Sequence, residues 1–186
     1  LINKLFEDSR SANFEKSISD TSRQKRQGDL EGKDYYFLSE KDFKDKIKKE
    51  EYVEYATVFG NFYGTSKEEI KTKYNNSNLI LELDWQGAYA VKELFDDAKL
   101  IFLVPPSLDD LKQRLIKRNL DSSEAIENRL SEAKKEISKS EMYDYLVLND
   151  DFDKAFEDLS QILFEGISPI DFNSRASKDL IKRLVE

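Results

Sequence analysis

A loop near the start of the chain concentrates positive charge, with Arg23, Lys25 and Arg26 inside four consecutive positions. The planar guanidinium groups of the two arginines suit bidentate contact with a phosphate. Two tyrosines further along, Tyr35 and Tyr63, could donate hydroxyl hydrogen bonds to the same anion. The pattern indicates a possible phosphate site, although a solvated basic loop is the simpler interpretation of the loop taken alone.

A glutamate and a nearby turn form a second candidate site, in which Glu54 precedes the segment Gly60-Asn61-Phe62-Tyr63-Gly64-Thr65. A buried carboxylate beside a turn-borne hydroxyl can pair with a base edge that offers two N–H donors and a carbonyl, which describes guanine. Such a site is selective because the wrong base leaves buried polar groups unpaired. An ordinary turn followed by a helix cap also explains this segment in isolation.

Two carboxylates, Glu82 and Asp84, end an apolar run at residues 79–84. Ligands of open α/β sheets bind at the carboxyl ends of the strands. Alternating carboxylates at that edge suit the water shell of Mg²⁺ or a ligand hydroxyl. The alternative is a solvated strand end at which Asp84 caps the following helix.

Arginines recur where the sequence predicts two consecutive helices. Arg114 and Arg118 are four residues apart and so share one helix face, and Arg129 follows on the next helix. A mobile pair of such helices could close over a polyphosphate and neutralise charge in a transition state. A solvated, salt-bridged surface explains any one of these residues at least as well.

The amino-acid composition excludes several classes of catalytic and metal-binding site. The 186 residues contain no histidine and no cysteine, which excludes a Ser–His triad, a Cys nucleophile, a disulfide framework and the usual zinc sites. The formal net charge of -8 argues against general affinity for nucleic acid or an anionic membrane. No apolar run is long enough to span a bilayer. The absence of cysteine is compatible with a cytoplasmic location.

The elements that must position these residues follow from periodicity and turn residues. Continuous apolar runs at residues 79–84 and 99–104, each followed by a helix, predict buried parallel strands. Further strands are predicted at residues 14–20, 35–38, 52–59 and 145–148, a turn at 60–64, and helices at 1–8, after Ser39, after Thr65 or Ser66, at 86–95, after Ser107, and at 122–141, 151–165 and 174–185. We therefore expect an α/β core formed by residues 1–34 and 79–186, with an inserted lobe at 35–78 and a lid at 107–141.

Order and spacing of these motifs together resemble the guanylate kinase family. The matching residues are Thr21-Ser22-Arg23, Arg26, Gly28-Asp29, Gly32-Lys33-Asp34-Tyr35, Phe43, Glu54-Tyr55-Ala56, Gly60-Asn61-Phe62-Tyr63-Gly64-Thr65, Asp84-Trp85-Gln86-Gly87, Pro105-Pro106-Ser107 and Asn149-Asp150-Asp151. The resemblance extends from Leu1 to about Glu165. It implies transfer of a phosphoryl group from ATP to GMP with Mg²⁺, on a three-layer core like that of the P-loop NTPases, with an inserted GMP-binding lobe and a helical lid.

The resemblance also implies roles for individual residues. The GMP phosphate would contact Arg23, Arg26, Tyr35 and Tyr63, and the guanine would contact Glu54 and Thr65, with Ser19 and Asp84 completing the pocket. Glu82 stands where the family usually has Asp and is expected on the GMP side. Arg23, Arg114, Arg118 and Arg129 would be catalytic, and Arg114, Arg118 and Asn149 would contact ATP. Mg²⁺ would be held through nucleotide and water, without direct protein ligands.

One family motif is missing from the printed sequence. The Walker A loop, G-x-x-x-x-G-K-[ST], holds the ATP phosphates, and none of the six glycines fits it, since Gly32-Lys33 precedes Asp34. The family's loop immediately precedes the helix that residues 1–8 resemble. We therefore expect that a strand and this loop, roughly twenty residues, are cut off upstream, so that this chain binds GMP weakly and does not use ATP. The expected partners are GMP and ATP, with the chain a monomer or homodimer.

A rival interpretation is a kinase-like binding module that has lost catalysis and recognises a phosphorylated peptide through the former GMP site. The intact pair of Glu54 and Thr65 favours the kinase, and it disfavours kinases of other nucleoside monophosphates. A preference for GMP over AMP in calorimetry would separate these classes.

Overall fold

A computed structural model describes residues 1–74, 77–117 and 123–185, and the chain forms two compact units. The terminal unit comprises Leu1–Arg10 and Lys99–Glu186, and the central unit comprises Ser11–Ala98. The helices are α1 (Ile2–Leu5), α2 (Glu40–Lys48), α3 (Lys67–Lys73), α4 (Trp85–Leu94), α5 (Leu108–Lys117), α6 (Ser123–Ser138), α7 (Phe152–Ser160) and α8 (Arg175–Val185). The strands are β1 (Phe14–Lys16), β2 (Asp20–Thr21), β3 (Tyr36–Phe37), β4 (Tyr52–Val58), β5 (Asn61–Ser66), β6 (Asn78–Ile80), β7 (Ile101–Val104) and β8 (Tyr145–Leu148).

The central unit contains two sheets. Strands β1 and β6 pair in parallel, and β2 to β5 form a second sheet in the order β3-β2-β5-β4. A two-residue turn joins β4 to β5, and its residues Phe59 (φ 49°) and Gly60 (φ 76°) both adopt the left-handed conformation. Positive φ at both positions is the primed turn geometry whose twist matches a β-hairpin.

Side-chain caps begin the helices of the central unit. The side chains of Ser39, Ser66 and Asp84 accept hydrogen bonds from backbone N–H groups three residues on, at the starts of α2, α3 and α4 respectively. Each cap satisfies a donor that the first helical turn leaves free. The predicted cap at Ser39 is confirmed, and Ser66 rather than Thr65 starts α3.

An aromatic stack anchors α2 on the hairpin. Phe43 of α2 is fully buried and stacks on Tyr52 and Phe62, with ring centroids 4.6 and 5.4 Å apart. Offset aromatic pairs at such separations add to the free energy gained by burial. The stack fixes the hairpin that carries several candidate site residues.

The terminal unit is built around a parallel pair of strands, β7 and β8. Phe102 and Val104 of β7 and Leu146 of β8 form its core with Ile137 of α6 and Leu184 of α8. The strands predicted at residues 99–104 and 145–148 and the helix predicted at 174–185 are confirmed. None of the helices in the described part of the chain is long and apolar enough to cross a membrane.

Several predicted boundaries are wrong. The turn predicted at residues 60–64 ends at Gly60, because residues 61–66 pair along β4 as strand β5. The strand predicted at 14–20 is two strands in different sheets, and that predicted at 79–84 is only β6, since its pairing with β1 stops at Ile80. The extent of the helix predicted at 151–165 is confirmed, with α7 followed by a π-helical turn over Gln161–Glu165. The α/β class with parallel strand pairs is confirmed.

Candidate functional site

Arg23 is held in place before any ligand binds. Its Nη1 lies 2.9 Å from Oδ2 of Asp29, and its guanidinium carbon lies 5.4 and 5.5 Å from the ring centroids of Tyr35 and Phe37. Its backbone N–H donates to the hydroxyl of Thr21 at 3.1 Å. A guanidinium fixed in this way loses little conformational freedom when it meets an anion.

The same aspartate closes the basic loop. Asp29 accepts the backbone N–H of Arg26 at 2.7 Å, and this hydrogen bond, with the contact from Arg23, lowers the pKa of its carboxyl. The carboxylate therefore stays ionised and joins the backbone of one arginine to the side chain of the other. The structure thus places Arg23 and Arg26 on one ordered loop rather than on a freely solvated one.

Two predicted phosphate ligands meet at this loop. The rings of Tyr35 and Tyr63 pack edge to face, with centroids 5.7 Å apart. Burial first, and then the neighbouring Tyr63, raises the pKa of Tyr35; the charges of Glu82 and Asp29 act in the same direction, against Arg23. The Tyr35 hydroxyl therefore keeps its proton and remains a hydrogen-bond donor. Arg23, Tyr35 and Tyr63 form one cluster, as the sequence suggested.

Glu54 and Thr65 face each other across the hairpin. They are register partners on β4 and β5, and only 6% of Glu54 and none of Thr65 is exposed. Among the described residues, neither Oε1 of Glu54 nor Oγ1 of Thr65 finds a hydrogen-bond partner. Burial raises the pKa of the Glu54 carboxyl. The side chain and backbone of Thr65 approach the carboxyl and oppose that shift in part, although the Thr65 hydroxyl does not reach hydrogen-bond geometry with Oε1. Unsatisfied groups of this kind are costly unless a ligand completes them.

The first turn of α4 lies directly against the Glu54 carboxyl. A Cβ atom placed on Gly87 would lie 2.7 Å from Oε2 of Glu54, so no other residue fits there unless the carboxyl moves. Asp84, the helix cap, accepts the Gly87 N–H at 3.0 Å, and its charge contributes to the raised pKa of Glu54. Asp84 thus lies in the electrostatic surroundings of Glu54, in the capping role that the sequence analysis gave as its alternative.

The remaining predicted residues of the central unit lie at strand ends. Ser19 is half-buried, and its carbonyl accepts the N–H of Tyr36 at 3.0 Å. Glu82 forms an ion pair with Lys16, a residue that the sequence analysis did not single out. The sequence feature that could have pointed to Lys16 is its position within the strand predicted at residues 14–20, where a charged residue interrupts the alternation of apolar and polar side chains.

In the terminal unit, the structure joins two of the predicted ATP-side residues. The Arg114 guanidinium on α5 donates to the carbonyls of Asn149 and Asp150, at 2.7 and 3.2 Å. Arg129 lies half-buried on α6. Arg118 falls outside the described residues. Arg114 therefore fixes the loop that follows β8, where its partner Asn149 resides.

The described residues contain no cluster of three or more His, Cys, Asp or Glu that could hold a metal ion. Glu82 is paired with Lys16, and Asp84 is committed to its helix cap. This donor set offers no protein cage for a divalent cation. It suits a Mg²⁺ ion that keeps its water and is carried by nucleotide phosphates.

Comparisons with known proteins relate this chain to a family of enzymes. Residues 1–166 match the family profile described as guanylate kinase. A guanylate kinase from Wolbachia sp. subsp. Brugia malayi (strain TRS) is 44% identical over 165 residues, which cover 88% of this chain and 84% of the relative. One from Hahella chejuensis (strain KCTC 2396) is 49% identical over 147 residues, covering 78% and 71% respectively. The crystal structure of guanylate kinase from Anaplasma phagocytophilum matches with a TM-score of 0.71 at 32% identity, covering 100% of this chain and 90% of that chain.

Proposed function

This chain belongs to the guanylate kinase family, and from that premise we propose that it acts in the transfer of the γ-phosphoryl group of ATP to GMP, giving ADP and GDP. The observation that carries the proposal is the buried, unpartnered pair of Glu54 Oε1 and Thr65 Oγ1. Nothing in the comparisons favours the alternative of an inactive module that binds phosphopeptides.

Guanine supplies what this pair lacks. Its N1–H and N2–H₂ groups lie side by side and can both donate to one carboxylate, while its O6 accepts from a hydroxyl. Adenine presents an acceptor at N1, which would face the carboxylate with like polarity. The cost of such mismatches inside a buried site is the source of selectivity. Ser19 and Asp84 are proposed to complete the guanine side.

The basic loop is proposed to hold the phosphate of GMP. Arg23 and Arg26 would supply charge-assisted hydrogen bonds, and Tyr35 and Tyr63 would supply hydroxyl donors. Glu82 is proposed to lie on the same side of the bound nucleotide. Phosphoryl transfer requires positioning and charge stabilisation more than covalent chemistry, so the absence of His and Cys does not argue against it.

On the ATP side, we propose that Arg114, Arg118 and Arg129 neutralise charge on the transferred group and that Asn149 lies near the adenine. The contact of Arg114 with the carbonyl of Asn149 supports this grouping. Mg²⁺ bound to ATP would offset the charge of the phosphate oxygens. The net charge of -8 argues against nucleic acid or an anionic membrane as a partner. We also propose action in the cytoplasm, as a monomer or homodimer.

Calorimetric titration of the 186-residue chain with GMP and AMP tests the proposal, because it measures the preference for the base directly and requires no ATP. We expect GMP to bind at least about 100-fold more tightly than AMP, since two charge-assisted hydrogen bonds distinguish them. Glu54→Gln should remove most of this preference. Glu68→Gln, which removes the same charge from an exposed position on α3, should leave it intact. Equal affinity for GMP and AMP would contradict the proposal.

A further inference from the structure

Lys16 and Glu82 form an ion pair at one edge of the smaller sheet of the central unit. Because β1 and β6 run in parallel, with Lys16 in register with Ile80, both strands end at the same edge. Lys16 is the last residue of β1, and Glu82 follows β6 by two positions. This is the carboxyl edge, where open α/β sheets bind their ligands.

The backbone at this strand end is fixed from outside. The Lys73 ammonium donates to the carbonyl of Lys16 at 2.7 Å and pairs with Glu69 at 2.6 Å. Glu69, which is buried, also accepts the N–H of Ile18 at 2.7 Å. The backbone of residues 16–18 is therefore held by α3, while the Lys16 side chain keeps 29% of its surface exposed and that of Glu82 keeps 52%. A firmly held backbone with an accessible side chain suits a residue that contacts a ligand.

The ion pair is linked to the phosphate cluster, which is the cluster of Arg23, Tyr35 and Tyr63 described above. Four residues after Lys16 the chain enters β2, where Thr21 is in register with Tyr63. The charge of Glu82 also raises the pKa of Tyr35. The other fixed cation of the cluster, Arg23, is likewise paired with a carboxylate. In each pair, the cation contacts a carboxylate that carries one negative charge. A phosphate dianion carries two and would attract the same cation more strongly.

We propose that Lys16 is a further phosphate-binding residue, which turns from Glu82 to the phosphate of GMP when the nucleotide binds. The inference rests on the proposed function, since GMP is the ligand. A lysine suits the role because its ammonium is a compact charge on a flexible stem and can change partner without moving the backbone. An exposed ion pair is worth little in water, so exchanging it costs little.

The rival explanation gives Lys16 a passive role. In that case it only neutralises Glu82, whose charge would otherwise repel the phosphate. The two explanations differ in what happens when Glu82 is already neutral. A direct contact with phosphate survives the loss of Glu82, whereas neutralisation of a missing charge does nothing.

A double-mutant cycle separates them, using calorimetry on the full 186-residue chain with GMP and with guanosine. The variants are Lys16→Met, Glu82→Gln and the two combined, with Lys16→Arg as the conservative replacement. Lys48→Met, which removes one exposed positive charge from α2, measures the effect of net charge alone. Thermal melting of each variant checks that it is folded.

We expect Lys16→Met to weaken GMP binding about tenfold, as for loss of one charged hydrogen bond in a partly exposed site. Guanosine binding should be unchanged, the same tenfold loss should appear in the Glu82→Gln background, and Lys16→Arg should retain affinity. An unchanged GMP affinity in Lys16→Met, equal losses for GMP and guanosine, or a loss that disappears when Glu82 is Gln would overturn the role of Lys16. Failure of the unaltered chain to bind GMP would instead contradict the proposed function.

Discussion

Replacing Gly87 by alanine should separate guanine recognition from stability. The added Cβ would lie 2.7 Å from Oε2 of Glu54, 3.1 Å from its Cδ and 3.3 Å from Cβ of Leu83. Carbon and oxygen atoms do not approach to 2.7 Å without a bond, so the carboxyl must shift by about 0.5–1 Å to restore ordinary contact. Glu54 lies on a strand, and its backbone cannot follow without breaking the pairing with Thr65.

The shift should have a large effect on GMP affinity and a small effect on stability. Misplacement by about 1 Å of a group that orients a substrate can cost roughly 100-fold, and we expect a loss of GMP affinity of that order. Stability should change by less than about 1 kcal/mol, because alanine favours the helix over glycine by a similar amount and offsets the strain at Glu54. Calorimetry with GMP and denaturation by urea measure the two effects.

Gly60→Ala is the matched control, since it makes the same chemical change at a position where no described residue beyond its two chain neighbours lies within 4 Å of the new Cβ. Gly60 has a φ of +76°, so alanine there should lower the free energy of unfolding by about 1–2 kcal/mol. GMP affinity should be kept. If Gly87→Ala binds GMP within threefold of the unaltered chain, the contact between Gly87 and Glu54 does not position the carboxyl as we infer.

Three further predictions concern the buried charges and the last helix. Because burial raises the pKa of Glu54, its contribution to stability is fully present below the pKa of an unfolded glutamate and is lost as the pH rises through the raised value. Guanosine, which needs the carboxylate but carries no phosphate that titrates in the same range, should therefore release protons on binding in that window. Calorimetry in buffers of different ionisation enthalpy would show no such release if Glu54 were not the contact. Lys46→Met should lower the free energy of unfolding by about 3 kcal/mol, because it removes the cation paired with the buried Asp20 carboxylate, which also accepts the hydroxyl of Tyr52. A urea titration that shows no loss against Lys48→Met would refute this. Leu184→Ala should cost about 2–5 kcal/mol because Leu184 is 2% exposed in the core of the terminal unit, although it lies beyond the residues matched by the family profile; a change below 1 kcal/mol against Lys178→Ala would show that α8 is not part of that core.

The sequence was informative where local chemistry determines structure. The Ser39 and Asp84 caps, the apolar strand at residues 99–104 and the last helix all follow from short patterns, and the structure contains each of them. Strand ends were less predictable because pairing decides them. Residues 60–64 are predicted as a turn from their Gly and Asn, yet residues 61–66 form β5 because β4 lies alongside as a partner.

The candidate site shows the same division. Residue types and spacing predicted a phosphate cluster, and Arg23, Tyr35 and Tyr63 lie together. No local pattern, however, indicated that Gly87 touches the Glu54 carboxyl or that Lys16 pairs with Glu82. Both contacts join residues far apart in the chain, so only the fold could show them.

Glu54 is the proposed guanine contact on which GMP binding depends most, and a crystal structure of the chain with GMP would show whether the base lies there. We expect N1 or N2 of guanine within about 3 Å of Glu54 Oε1, with the phosphate beside Arg23 and Tyr35. The Thr65 hydroxyl should then also have gained a partner. A bound GMP whose base lies elsewhere, with Glu54 still buried and unpaired, would contradict the account.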